Sequence, residues 1–501
     1  MSLNTSLNIA TTGLRVTEYA IGVASQNIAN AGTNGYIAEI ANVRSLNTNG
    51  QGTGVQATGT TLASNDALNN AVLTQNAQTS LLTAQKGALS ALTSVQGSTD
   101  ASSGSSGTLS DQLGNLQSSL ISLLSTPTSS AGQNTAVTDA TELVSTVHTL
   151  ADTYQTQRQT AQDTIVSSVS SINTDLTTIG SLSTQIMRLK AQGQSTAELE
   201  NQRNTAVTDL STQISIKTTA TANGDMVVKT GSGLVLPTHD VDGSTNGAIS
   251  SSWPLDTSSA TVTSAMAYPG TDSSNAIPKI MLGDRDVTSL LQGGTLGGNV
   301  ALRDTILPTM QAQLDSFSYS LATRFDAQGM TLFTNSVGAL PSADGTANAP
   351  SGIVGFSQNL QVSAAYTSDP SKLVNGSSAD TSVLQAVISK TFASSATSAP
   401  SAQLGVNGNL STGYDGTEDI LSLATTLTAS QAAVADNVSS NLTTAQATQT
   451  SLATSLSSAV GVSVDDEMSK VVALQNAYTA NAKVVAAVQS MFQSLMSAIG
   501  A

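Results

Sequence analysis

Leu3, Leu7, Ala10, Leu14, Thr17, Ile21, Ala24 and Ile28 follow one another at alternating steps of four and three, with only Thr17 interrupting the apolar series. Near the other end Val471, Leu474, Tyr478, Asn481, Val485, Val488, Phe492, Leu495 and Ile499 repeat that spacing, with Asn481 the polar exception. An apolar period of 3.5 residues is a helical seam, which favours a supercoiled pair over packing on a curved globular surface. One such helix alone buries too little to offset the ordering of its backbone. The economical expectation is that the two ends pair with each other or with neighbouring copies.

Between the ends, all ten prolines fall from Pro127 to Pro400, which leaves 1–126 and 401–501 free of the strongest helix breaker. Leu109, Leu113, Leu116, Leu120 and Leu123 form a third seam that Pro127 stops. From Asn134 to Lys190 an apolar stripe through Val144, Val147, Tyr154, Ile165, Ile172, Leu176, Ile179 and Ile186 predicts a rod of about 85 Å, with Gly180 a place to bend. At Gln213 the period changes to two: Ile214, Ile216 and Thr218 alternate, and Asn223-Gly224 marks a hairpin turn before Met226, Val227 and Val228. Helical spacing returns at Leu302, Ile306, Met310, Leu314, Phe317 and Leu321, and again from Ile420 to Ala459. The stretch 335–415, rich in Gly, Pro, Ser and Ala, reads as loop-dominated surface with short helical pieces such as Leu384–Lys390. Ser463 followed by Asp465, Asp466 and Glu467 reads as the capped, acidic start of the last helix.

The expected fold is mainly α: an elongated multidomain protein with terminal coiled-coil helices, a helical-bundle rod domain and a small inserted β domain. The boundaries are 1–35 and 462–501 for the terminal domain, 36–213 and 295–461 for the rod, and 214–294 for the β insertion. A length of 501 residues is ample for several compact units.

Little in the chain points to catalysis. The absence of cysteine removes disulfides, thiolate nucleophiles and iron–sulfur clusters. A net charge of −16 offers no basic face for nucleic acid or an anionic membrane. No apolar run is long enough for a membrane-spanning helix, and no cleaved secretory signal is visible. Gly52, Gly54 and Ala57 satisfy G-x-G-x-x-A, but the surrounding residues read as loop, without a preceding strand of βαβ type. His239 beside Asp240 and Asp242 reads as a solvated turn without the spaced ligands of a metal site. His148 reads as an i,i+4 neighbour of Asp152 on a polar helix face. No catalytic, metal-binding or cofactor-binding residue is expected, and no cofactor.

The segment QNIANAGTNGY (Gln26 to Tyr36), after an amphipathic helix, resembles the N-terminal signature of bacterial flagellar rod, hook and hook-associated proteins. Ile172 to Asn204, the following LSTQISIKTTATANGDMVVKTGSGLVL, and GGTLGGNVALRD (Gly293 to Asp304) resemble the hook-associated protein 1 family in particular. The C-terminal VSVDDEMSKVVALQNAYTANAKVVAAVQSMFQSLM is similar to that family's closing helix. This chain departs from the family pattern at Ile37 and Ala38, where a small hydroxyl residue and then a basic one are usual. It departs again at Asn201 and Asn204, which replace acidic residues beside Gln202-Arg203.

The resemblance implies a non-enzymatic, extracellular axial protein at the junction of hook and filament, exported from the cytoplasm without a cleaved signal peptide. Its implied partners are copies of itself in a ring, hook protein, hook-associated protein 3 on the filament side and a cytosolic export chaperone, with no nucleic acid and no membrane insertion. The assembly interface would be Leu3, Leu7, Leu14, Ile21, Ile28, Val471, Leu474, Tyr478, Val485, Val488, Phe492, Leu495 and Ile499. The chaperone would hold Val485, Val488, Phe492 and Leu495. Hook protein shares the terminal signatures, but the long helical stretch from Ile172 to Arg203 argues against it. A coiled-coil signalling protein shares the helical composition, but lacks an explanation for the β insertion.

Overall fold

The computed structural model describes residues 3–33, 35–48, 50–97, 107–239, 254–268, 276–376, 379–392, 403–405, 408–414 and 418–499. Helix α1 (Leu3–Asn30) leads into an antiparallel hairpin, β1 (Glu39–Thr48) and β2 (Gln51–Leu62), bulged between Ala41 and Val43 and between Leu46 and Asn47. Four helices follow: α2 (Asp66–Gln96), α3 (Leu109–Ser125), α4 (Ser130–Ala191) and α5 (Ala197–Gln213). Their starts are read in the sequence, since Asn65, Thr108 and Ser129 each accept a backbone N–H of the first turn, and Thr108 and Asp111 close a capping box.

Helix α4 is 62 residues long, about 93 Å at 1.5 Å per residue. It continues through Gly180 as regular helix. That glycine serves close approach: a Cβ there would stand 1.8 Å from the Thr238 carbonyl oxygen. The expected hairpin forms β3 (Ile216–Ala220) and β4 (Met226–Thr230), joined by β5 (Val235–Leu236) into one sheet. A second small sheet combines β6 (Leu255–Asp256), β7 (Met281–Leu282) and β8 (Arg285–Asp286). Next come α6 (Gly294–Ala301), a wide π turn at Leu302–Ile306 and α7 (Leu307–Asp326). The π turn lies just ahead of Pro308, whose missing N–H cannot bond the preceding turn. Short elements follow: β9 (Phe333–Thr334), α8 (Phe356–Asn359), β10 (Gln361–Val362), α9 (Ala364–Ser368), α10 (Ser382–Ala386), β11 (Gln403–Leu404) and β12 (Leu410–Ser411). Two long helices end the chain, α11 (Ile420–Val460) and α12 (Val464–Ile499).

The molecule is mainly α and elongated, and among the described residues two large apolar cores are strung along α4, with a small third cluster of Ala312, Ile353 and Leu404. The larger core packs the leucines of α3 against the first half of α4, α7 and α11. The other gathers Ile165, Ile172, Leu176 and Ile179 of α4 with α5, α6 and the two small sheets. Glycines of α6 permit its close seating: a Cβ on Gly298 would lie 2.8 Å from the Leu81 carbonyl of α2, and one on Gly294 2.2 Å from the Gln213 carbonyl of α5. Arg303, fully buried, donates to both oxygens of Asp304, to Gln162 and to the Pro278 carbonyl.

Several expectations need correction. The residues around Gly52, Gly54 and Ala57 are strand β2, and Gly54 is glycine because Thr12 Oγ1 would stand 2.5 Å from a Cβ. The stretch 335–415 is short of regular structure but is not all surface, since Phe356, Leu360, Leu373, Val374, Leu384, Val387 and Tyr414 enter the larger core. His148 turns toward the Leu360 carbonyl at 2.8 Å, bonding across the core boundary instead of along its own helix. His239 pairs with Asp225 at 3.0 Å, while Asp240 and Asp242 lie outside the described residues.

Candidate assembly surface

Helices α1 and α12 pack along each other and run antiparallel. Gly13 faces Asn481, so closely that a Cβ on Gly13 would meet Asn481 Nδ2 at 2.8 Å. Further along, Glu18 and Ile21 share a cleft with Gln475, Tyr478 and Thr479. As the number rises on α1 it falls on α12, which is the antiparallel register. The two terminal seams therefore find each other within one chain.

The fit is incomplete. On α1 the deeply buried seam residues are the small ones, Ala10, Thr17 and Ala24, while Leu7, Leu14, Ile21 and Ile28 are half-buried and Leu3 is exposed. Thr17 satisfies its hydroxyl on the Gly13 carbonyl. On α12 only Val488 of the expected seam is buried; Val471, Leu474, Val485 and Phe492 are half-buried, and Tyr478 and Leu495 are exposed. The side chain of Ile499 lies outside the described residues. Beside the seam, Val464, Met468 and Val472 near the base and Val484, Met491 and Met496 near the tip are exposed, Met496 by 70%. Exposed apolar side chains thus recur along the whole length of α12.

The base of α12 is built as its sequence predicts. Ser463 Oγ accepts the Asp466 N–H, the Ser463 carbonyl accepts the Glu467 N–H, and Lys470 pairs with Glu467 at 2.6 Å.

The link between the terminal pair and the rest was not legible in the sequence. Residues 36–39 run extended, and neighbouring elements take their backbone groups in turn. Asn201 of α5 accepts the Ile37 N–H at 3.0 Å and donates to the Ile37 carbonyl at 3.2 Å. The Ala38 N–H reaches the Val460 carbonyl at the end of α11, and the Ala38 carbonyl accepts from Ala63. Asn27 of α1 accepts the Glu39 N–H and donates to the Glu39 carbonyl, both at 2.9 Å, and its Oδ1 also accepts the Tyr36 hydroxyl. The amide supplies donor and acceptor together, so an aspartate at either position would lose one bond. Burial, then Glu39 and Glu198, push the Tyr36 phenol up to about 12, which keeps it a donor. This gives the Asn27 and Tyr36 of QNIANAGTNGY a physical role, and it gives Asn201 one at the backbone of residue 37.

Among the described residues no group of histidine and acidic side chains is arranged to hold a metal ion, and no helix is long and apolar enough to cross a membrane.

A long-helix protein whose terminal helices return on each other is the class these features define. The comparisons are specific. Residues 455–498 match the profile of the flagellar basal body rod FlgEFG protein C-terminal region, and residues 97–339 match that of the flagellar hook-associated protein FlgK helical domain. Over 97–339 the chain is similar to flagellar hook-associated proteins, and over 455–498 to the flagellar rod and hook proteins. A solved structure described as the flagellar hook junction protein FlgK from Burkholderia pseudomallei is 23% identical, with a TM-score of 0.41, over 55% of this chain. The match spans 46% of that protein's chain. The sequence matches no curated protein.

Proposed function

We propose that the chain is a structural junction component of the bacterial flagellum, joining hook to filament as a ring of copies. The observation that carries this is the helix pair α1–α12, paired within the chain yet leaving much of the apolar surface of α12 uncovered. Neighbouring copies would cover that surface, together with hook protein on one side and hook-associated protein 3 on the other. The protein acts by packing, not by catalysis, and works outside the cell after export from the cytoplasm.

The tip of α12 supports the chaperone reading. Leu495 is exposed, Phe492 and Val485 are half-buried, and Val488 is covered by its own chain, so a chaperone that holds all four must take α12 away from α1. Shielding the tip in the cytosol would prevent premature association.

Leu495→Asp tests assembly without disturbing the fold, because the side chain is 52% exposed. The variant should keep its helix content and melting temperature, yet fail to join hook-tipped particles in an incorporation assay. Normal incorporation would remove the α12 tip from the assembly surface.

A further inference from the structure

The flank of α1 turned away from α12 borders a groove of about 700 Å³, closed by the end of α4, the start of α5 and the base of the hairpin. Its α1 wall is Tyr19, Gly22, Val23 and Gln26. At about 100° per residue these lie roughly opposite the Ala10, Thr17, Ala24 stripe that meets α12. Two carboxylates face the groove, Glu39 and Glu198. Glu39 Oε1 is buried without a hydrogen-bond partner, and burial, Glu198 and Glu200 all raise its pKa. Among the described residues no ion pair reaches Glu39 or Glu198. Glu39 and Glu198 thus give the groove a negative wall with, among the described residues, no cation of its own chain beside it.

The opposite flank carries one. Lys483 is exposed on α12 and belongs to no ion pair among the described residues. By the same rotation it points about 180° to 200° away from Leu474, Asn481 and Val485, hence away from α1. A single helix pair therefore presents an ammonium on one side and a carboxylate groove on the other. Complementary patches on opposite sides of one molecule make a head-to-tail contact, which closes into a ring or runs on as a helix.

We infer that Lys483 of one copy seats in the groove of a second copy of this chain and pairs there with Glu39 and Glu198. The inference deepens the ring reading and rests on it. The structure also sets the offset between copies. The Gly13–Asn481 register places Lys483 level with residues near 12 on α1, whereas Glu198 touches Gln26 and the Glu39 backbone is held by Asn27. Some 14 to 15 residues at 1.5 Å each separate the two levels, so neighbours are staggered by about 20 Å, less what the lysine side chain spans.

The test uses the full chain, half of it labelled with heavy nitrogen, concentrated until it sediments as oligomers and treated with a zero-length carbodiimide cross-linker. Of the linked peptides joining Lys483 to Glu39 or Glu198, about half should contain one light and one heavy half, where links within one chain would give none. Charge reversal supplies a second readout: Lys483→Glu and Glu198→Lys should each weaken association roughly tenfold, and the double variant should recover it. If the chain assembles but Lys483 links only to other carboxylates, and the double variant stays weak, the inference falls while the ring reading stands. A chain that remains monomeric at every concentration overturns both.

Discussion

Replacing Asn27 by Ala removes three hydrogen bonds at once: the acceptor for the Glu39 N–H, the donor to the Glu39 carbonyl, and the acceptor for the Tyr36 hydroxyl. Asn27 is 1% exposed, so little water replaces them. At about 0.5 to 1.5 kcal/mol net for each bond the loss is roughly 1.5 to 4.5 kcal/mol. The cost is local. Neither apolar core includes Asn27, so the cooperative melting of the helical body should barely change. Native-state hydrogen exchange reads the effect where it falls, since each 1.4 kcal/mol of opening free energy is tenfold in rate. About 3 kcal/mol should speed exchange of the Glu39 amide roughly 100-fold. The Leu176 amide, in the middle of α4, should not move. Asn27→Asp should fall between, because it keeps both acceptor roles and loses only the donation. Parental protection at Glu39 in the alanine variant would refute the view that this side chain fixes the joint.

Two further outcomes follow from the body of the molecule. Burial, and then Asp209, hold the Asp175 carboxyl up at about 6 against an ordinary value of 3.8. The folded chain therefore binds that proton more tightly than the unfolded one, so the stability it contributes is full below about pH 4 and is lost as pH rises toward 6. Asp175→Asn should raise the melting temperature relative to the parent above pH 6, with the gap closing near pH 4; a constant gap would contradict the assignment. Gly294→Ala must place a methyl against the Gln213 backbone at a positive φ of 65°. It should cost about 2 to 4 kcal/mol, read as a lower urea midpoint with an unchanged slope.

The long helices are legible because each depends on one periodic signal. The Leu109–Leu123 seam, the stripe of α4 and the return helix from Ile420 all appear where their spacing places them. The hairpin β1–β2 is not legible because its strands are Thr-, Gly- and Asn-rich and show little apolar alternation. Their burial comes from lying on α1, where Asn8 and Thr12 bond Thr53 and Val55. The dipeptide Asn49-Gly50 between the two strands was the signal available. The buried residues of 335–415 escaped notice for a related reason: their apolar side chains come singly, without a period, and only tertiary packing collects them. Of the assembly surface, the seams themselves could be read from spacing. The amide clamps at Asn27 and Asn201 could not, because an asparagine that bonds backbone far away in sequence looks like any polar surface residue.

The antiparallel register puts the Leu3 end of α1 level with the region of Met491 on α12, at the tip farthest from the body. A pull applied there enters both strands of a strut. It leaves by two anchorages: the clamped stretch 36–39, and the turn from α11 into α12 at Gly461–Ser463. Traction is then shared by two covalent tethers in parallel, and neither requires the seam to shear. The two anchorages are themselves joined, since the Ala38 N–H bonds the Val460 carbonyl one residue before Gly461. Load entering the tip therefore reaches α5, α11 and the hairpin through one bonded node instead of through two independent hinges.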